Sequence, residues 1–172
     1  METKTQSKRS TKQPVAGVEN EIVIDRVFDL PVSKVWQAWT EPESFKNWWG
    51  PKDFTCPSSS IDFRTGGKYL HCMRSPQGEE YWSTGVFKEI IPHKKLVLTD
   101  SFSDAEGNIV PASEYNMPGE WPQELLVTVT FEEAGEEKTK MKLRHEGVPD
   151  EMYDDCIKGW NESFDKLEKN IK

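Results

Sequence analysis

The sequence contains little that points to a disulfide-bonded, metal-bound or nucleotide-bound function. Its cysteines number three, an odd count, and they lie far apart without a C-x-x-C pair. This pattern argues against a disulfide framework and against a structural zinc site. The sequence also has no G-x-S-x-G nucleophile motif, no H-E-x-x-H zinc motif and no glycine loop suited to a dinucleotide. We therefore expect no cofactor and no metal, and we expect binding rather than catalysis.

Long apolar segments are missing as well. No run approaches the ~20 residues that span a membrane, and the N-terminus lacks the apolar stretch of a signal peptide. We expect a cytoplasmic location without membrane insertion. The formal net charge is −8. Residues 1–12 carry four basic and one acidic side chain, or +3, so the remainder carries −11. An acidic body repels phosphate backbones, so we expect no nucleic-acid partner.

The length of 172 residues suits one domain that can bury a core without metals or disulfides. Residues 1–19 are polar and rich in Ser, Thr, Lys and Gln. Such a segment buries too little surface to offset its ordering entropy, so it is predicted to be a disordered basic tail. Residues 20–172 are predicted to form a single domain.

Strand patterns occupy most of the chain after residue 20. Residues 125–133 and 139–145 alternate between apolar and polar side chains, which predicts strands with one face toward a core. Short turns join several of the predicted strands, and this indicates antiparallel pairing. The sequence predicts seven strands, at residues 22–30, 60–64, 68–74, 81–91, 95–102, 125–133 and 139–145.

Helical periodicity occurs in two places. After the first strand, Pro31 begins one short helix, and residues 40–43 begin a second that ends at Gly50-Pro51. The last segment is a longer helix that Asp150 is expected to cap. Its apolar residues recur at spacings of three and four and form one stripe. They are Tyr153, Ile157, Trp160, Phe164, Leu167 and Ile171.

Helices and strands are segregated along the chain, which predicts an α+β fold. The apolar stripe of the last helix must be covered, and the concave face of a curved antiparallel sheet is the surface that can cover it. This arrangement leaves space between helix and sheet, which the two short helices close at one end.

Several short motifs, taken together, resemble a known family. They are Arg-Val-Phe-Asp-Leu-Pro at residues 26–31, Trp-Trp-Gly-Pro at 48–51, Asp-Phe-Arg-x-Gly-Gly at 62–67 and Gly-Trp at 159–160. Their order and spacing are similar to those of START-like, birch-pollen-allergen-like (SRPBCC) domains. The branch resembled is the one related to the C-terminal domain of the heat-shock protein 90 ATPase activator. The resemblance implies the helix-grip fold, and its relatives include lipid carriers, hormone receptors, polyketide cyclases and co-chaperone domains.

Aromatic side chains are the main candidates for a binding site, because apolar pockets with a few polar groups suit small molecules. Both histidines at residues 71 and 145 are candidate polar groups, and His145 ends an alternating strand on its apolar face. The alternative is that most of the aromatics fill the core and that the histidines are structural. The candidate residues are Trp48, Trp49, Tyr69, His71, Trp82, Trp121, His145, Trp160 and Phe164.

Three functions remain open at this point. The first is a binding module for a small hydrophobic or amphipathic molecule between sheet and helix. The second is a protein-interaction module that modulates a heat-shock protein 90-type chaperone ATPase. The third is a cyclase- or lyase-like enzyme that uses His145 or Asp100 as acid–base groups. We expect a monomer or a homodimer, and residues 103–124 are long enough for a lid or a dimer contact.

Overall fold

Seven antiparallel strands form one curved sheet that holds a long helix on its inner side. The computed structural model describes residues 21–171, so the predicted tail lies outside the described residues. The strands are β1 (Ile22–Phe28), β2 (Thr55–Ile61), β3 (Lys68–Arg74), β4 (Glu80–Ile91), β5 (Lys95–Ser103), β6 (Leu125–Glu133) and β7 (Thr139–Glu146). The helices are α1 (Val32–Thr40), α2 (Pro42–Phe45) and α3 (Tyr153–Asn170), and 3-10 turns occur at Ala112–Tyr115 and Asp150–Met152. The predicted α+β class and helix-grip arrangement are confirmed.

The strand order is β1-β7-β6-β5-β4-β3-β2. Strands β2 to β7 therefore follow one another in the sheet as they do in the chain, as antiparallel meanders require. Strand β1 is the exception, because it pairs with β7 and places Ile22 opposite His145. No helix in residues 21–171 is long and apolar enough to cross a membrane.

Strands β6 and β7 show the predicted alternation. Their inward side chains are buried, and the side chains between them lie on the outer face. The buried set is Leu125, Val127, Val129, Phe131, Thr139, Met141, Leu143 and His145.

The second strand lies elsewhere than predicted. Residues 60–64 were the expected strand, whereas β2 runs over Thr55–Ile61 and the following residues form a turn in which Asp62 N–H donates to Lys68 O. In the sequence, Pro57 argues against a strand at this position, because proline has no backbone N–H to donate to a neighbouring strand. It is tolerated here because β2 is an edge strand whose pairing with β3 is irregular around this residue.

Helix α3 begins two residues later than predicted. Asp150 was the expected cap, but it belongs to the 3-10 turn Asp150–Met152, and no side chain caps either this turn or α3. Pro149 precedes the turn, which leads directly into the helix. Asp154 and Asp155 stand in the first turn of α3, where carboxylates interact favourably with the positive end of the helix dipole.

The two halves of α3 are buried to different extents. Tyr153 and Ile157 in the N-terminal half are only half-buried, although both pack against the core. The buried apolar side chains begin near the middle of the helix and continue to the residue after it: Trp160, Phe164, Leu167 and Ile171.

Contacts on two sides fix α3 over the sheet. On one side, Arg26 of β1 forms an ion pair with Asp165. On the other side, Ser163 Oγ donates to a backbone carbonyl at 2.8 Å and Lys166 Nζ donates to two more, all within residues 50–54. The helix is therefore held along its C-terminal half, and the space beneath its N-terminal half stays open.

A close approach of two strands depends on Gly85 in β4. A Cβ at this position would lie 1.9 Å from Thr99 O of β5 and 2.7 Å from Tyr69 Cε2. The Tyr69 hydroxyl occupies this region and donates to Thr99 O at 2.6 Å. The missing side chain thus lets β5 and Tyr69 meet.

We predict that Gly85→Ala lowers the free energy of unfolding by about 3 kcal/mol, because backbone atoms would have to move. The matched control is Gly159→Ala in α3, where the nearest atom to an added Cβ is Pro51 Cγ at 3.6 Å. This control should raise the free energy of unfolding by about 0.5 to 1 kcal/mol through helix propensity. Urea denaturation measures both changes, and a Gly85→Ala variant as stable as the unaltered protein would contradict the role given to Gly85.

Candidate functional site

A cavity of about 340 Å³ lies beneath the N-terminal half of α3. Its walls come from α3 and the turn before it, from residues 49–54, from strands β3 to β7 and from the loop before β6. The aromatic lining residues are Trp49, Phe54, Tyr81, Trp82, Phe102, Trp121 and Trp160. The polar lining residues are Ser83, Asp100, Ser101, His145, Asp155 and Ser163. Aromatic walls with a few polar groups are typical of small-molecule sites.

One wall comes from the loop at residues 104–124, whose Met117 and Trp121 line the cavity. The loop is tied to the sheet by Tyr115, because its hydroxyl donates to Ser103 O at 2.5 Å. These contacts place the loop beside the cavity, where the predicted lid would have to lie. Its role as a lid or as a dimer contact stays a prediction.

A smaller cavity of about 30 Å³ adjoins the larger one. The two share four lining residues, Trp49, Ser83, Asp100 and Trp160. The smaller space has room for about one water molecule. Asp100 therefore stands at the junction of the two cavities.

Three polar side chains from different elements meet at this junction. Trp160 of α3 donates its indole N–H to His145 Nδ1 of β7 at 3.1 Å. On the other side of the imidazole, Nε2 lies 3.2 Å from Asp100 Oδ2 of β5. His145 is 6% exposed, and the Asp100 side chain is 26% exposed.

The contact with Trp160 fixes the protonation pattern of His145. An indole N–H is only a donor, so His145 Nδ1 must be the acceptor and the ring proton of neutral His145 lies on Nε2. Asp100 Oδ2 is close to Nε2, but the N–H direction misses it, and Nε2 has no hydrogen-bond partner. The junction thus holds a buried donor beside a carboxylate that does not satisfy it.

His71 lies at the far side of the smaller cavity. Its ring stacks on Phe45 and Tyr69 with centroid distances of 3.9 Å and 4.7 Å, and its Nδ1 is 3.0 Å from Ser59 Oγ. Burial lowers the pKa of His71 to about 3. The imidazole is therefore neutral at physiological pH, and its direction, ambiguous in the sequence, is inward.

Tyr69 lies between His71 and Asp100. Burial raises the pKa of its phenol well above the usual range, and the nearby Asp100 carboxylate raises this pKa further. The hydroxyl donates to Thr99 O, so it stays protonated and holds the strand that carries Asp100. Tyr69 therefore positions the junction rather than supplying a reactive oxygen.

Cys156 of α3 also lines the larger cavity. Burial raises the pKa of this thiol to about 11, with smaller contributions from Asp100 and Asp155. A thiol rather than a thiolate is a poor nucleophile and a poor metal ligand. Within residues 21–171, no group of three or more His, Cys, Asp or Glu side chains could hold a metal ion.

The predicted site residues fall into three groups. Five of the nine line the larger cavity: Trp49, Trp82, Trp121, His145 and Trp160. Tyr69 and His71 line the smaller one. Trp48 and Phe164 line neither, because both are fully buried in the core, where the Trp48 indole donates to Ala38 O at 2.9 Å.

Asp100 and Trp39 are two lining residues outside the predicted set. The sequence suggests Asp100 only as an acid–base group, yet it shares its strand alternation with Leu96 and Leu98, which line the smaller cavity. That alternation is the signal that places Asp100 inward. Trp39 lines the smaller cavity too, and its helical spacing from Trp36 marks only a buried face.

The sequence matches a family model described as Activator of Hsp90 ATPase homolog 1-like protein, over residues 29–172. The chain belongs to this family. The resemblance inferred from the sequence motifs is thereby confirmed. A search among curated proteins finds no match.

Solved structures similar to this Activator of Hsp90 ATPase homolog 1-like chain share its fold. A protein from Chromobacterium violaceum is 25% identical with a TM-score of 0.70, over 88% of this chain and 96% of that one. A protein from Nitrosomonas europaea is 21% identical with a TM-score of 0.69, over 87% and 92%. The AHSA1 protein from Silicibacter pomeroyi is 20% identical with a TM-score of 0.68, over 87% and 95%.

We predict that His71 makes stability depend on pH. The folded protein keeps this imidazole neutral down to about pH 3, whereas the unfolded chain takes up a proton near pH 6.5. The contribution of His71 is therefore complete above pH 6.5 and is lost as the pH falls. Between pH 7 and pH 5 this group should lower the free energy of unfolding by about 2 kcal/mol, measured by urea denaturation at each pH.

Two variants isolate this contribution from that of the carboxylates. His71→Leu should flatten the pH dependence, and His93→Asn is the matched control at an exposed histidine. His93 is exposed and adopts a φ of 64°, which asparagine tolerates. Equal pH slopes for His71→Leu and the unaltered protein would rule out the buried neutral imidazole as the cause.

Proposed function

We propose that the protein binds a small hydrophobic or amphipathic molecule in the 340 Å³ cavity. The observation that carries the proposal is the cavity itself, which combines aromatic walls with a buried polar junction. Its volume lies within the range of about 300 to 1,000 Å³ that is usual for ligand sites. Because α3 is anchored along its C-terminal half, the space exists before any ligand enters.

Gly159 supports this function. A glycine in a helix interior costs about 1 kcal/mol relative to alanine. An added Cβ would be in ordinary contact with Pro51 Cγ at 3.6 Å, so no strand requires a glycine here. Gly159 lines the larger cavity, and its missing side chain leaves that volume to a ligand.

The geometry supports binding more than catalysis. Because Trp160 occupies the Nδ1 lone pair, neutral His145 has no free lone pair with which to accept a proton. The cyclase- or lyase-like alternative then depends on Asp100. Any turnover that survives Asp100→Asn would rule out Asp100 as the acid–base group of that reaction.

The family name supports a second candidate, modulation of a heat-shock protein 90-type chaperone ATPase. The measurement is the ATPase rate of the chaperone from the same organism with and without micromolar protein. A changed rate together with a co-eluting complex would support this candidate. An unchanged rate without a complex would dismiss it.

A cytoplasmic location is part of the proposal. The structure leaves Cys56, Cys72 and Cys156 as free thiols. Free thiols are usual in reducing compartments.

The binding proposal predicts that N-phenyl-1-naphthylamine, a neutral apolar probe, binds one to one with a dissociation constant on the order of 10 µM. Bound probe should gain fluorescence and quench the emission of nearby tryptophans. Gly159→Leu should reduce probe affinity at least tenfold, because the larger side chain takes part of the ligand volume. Fluorescence titration measures both effects.

The matched control is Gly159→Ala, which adds one methyl group and should change affinity less than threefold. Native mass spectrometry of freshly purified protein would report any co-purified ligand and the number of subunits together. If neither the probe nor a co-purified molecule occupies the unaltered protein, the proposed function is wrong.

A further inference from the structure

The junction of the two cavities presents one unused donor and one acceptor side by side. His145 Nε2 carries the ring proton, is buried and has no hydrogen-bond partner. Asp100 Oδ2 lies 3.2 Å away, outside the direction of that N–H. A buried donor without a partner destabilises the protein, so a ligand group that satisfies it should bind about tenfold more tightly than a ligand that lacks such a group.

The polar groups that a ligand could carry differ in how many hydrogen bonds they form with this donor and this acceptor. A carbonyl accepts from His145 Nε2–H but offers nothing to Asp100. An ammonium donates to Asp100 but leaves the imidazole N–H unpaired. A hydroxyl does both, since its oxygen accepts from Nε2–H while its hydrogen is donated to Asp100 Oδ2.

Charge excludes a further class of ligand. Within the described part of the chain, no lysine or arginine lines either cavity, whereas Asp100 and Asp155 both line the larger one. A carboxylate or phosphate placed at the junction would meet the Asp100 carboxylate and would find no cation among the lining residues.

We propose that the natural ligand is an apolar molecule with one neutral hydroxyl, an alcohol or a phenol, that bridges His145 Nε2 and Asp100. This inference rests on the proposed binding function and narrows it to one ligand class. The hydroxyl lies at the junction, and the apolar body lies against Trp49, Trp82 and Trp160. Trp160 acts as a positioning residue, because its N–H keeps the imidazole proton on Nε2.

The test compares four probes that share a butylphenyl body and differ in one group: 4-butylphenol, 4-butyltoluene, 4-butylbenzoate and 4-butylbenzylammonium. Competition with N-phenyl-1-naphthylamine gives the affinity of each at neutral pH. We expect 4-butylphenol to bind about tenfold more tightly than 4-butyltoluene, and 4-butylbenzoate to bind most weakly.

Two variants locate the preference within the cavity. Asp100→Leu keeps the size of the side chain but removes the acceptor, so the preference for the phenol over the toluene should fall below threefold. Asp154→Leu, the matched control, removes an exposed carboxylate that lines neither cavity and should leave the tenfold preference intact. The unfolding midpoint of each variant shows whether it is folded.

The outcomes separate the two proposals. Equal binding of the phenol and the toluene, or tightest binding of the ammonium or the benzoate, would overturn the hydroxyl inference and leave the binding function standing. A phenol preference that persists unchanged in folded Asp100→Leu would overturn the assignment to this junction. Failure of all four probes and of N-phenyl-1-naphthylamine would remove the binding function itself.

Discussion

The buried indole of Trp160 joins the parts of the molecule that surround the cavity. Its N–H is bonded to His145 on β7, and its ring lies 6.1 Å from Trp39 of α1 and 5.4 Å from Trp49. The short helices, the sheet and the terminal helix therefore meet at one side chain. The depth at which α3 sits over the sheet and the tautomer of His145 both depend on this indole. Shape and chemistry of the cavity thus have a common origin.

Much of the fold could be predicted from sequence because its signals are local. The alternation in β6 and β7 and the stripe on α3 each follow from the periodicity of one element. Strand β2 was misplaced because Pro57 is compatible with a strand only at a sheet edge, and edge position is a property of the whole topology. The start of α3 was misplaced because a 3-10 turn took the position expected of a cap.

The site was harder to predict than the fold. Trp48 and Trp49 are neighbours in sequence, yet the first is enclosed in the core and the second lines both cavities. Aromatic content alone cannot separate them, since the outcome depends on how α2 packs against the sheet. The alternation of Asp100 with Leu96 and Leu98 along β5 does predict that its side chain points inward. The tautomer of His145 could not be predicted from the sequence, because it depends on a partner 15 residues away on another element.

The pairing of Ile22 with His145 links the first described strand to the last. On its other side, β7 pairs with β6, and Val127 lies opposite His145 there. Strand β1 therefore covers the backbone of β7 beside the imidazole, and without it β7 would be the edge strand of the sheet. An uncovered edge strand can pair with a second chain, so β1 also protects the strand that carries His145 against association between molecules.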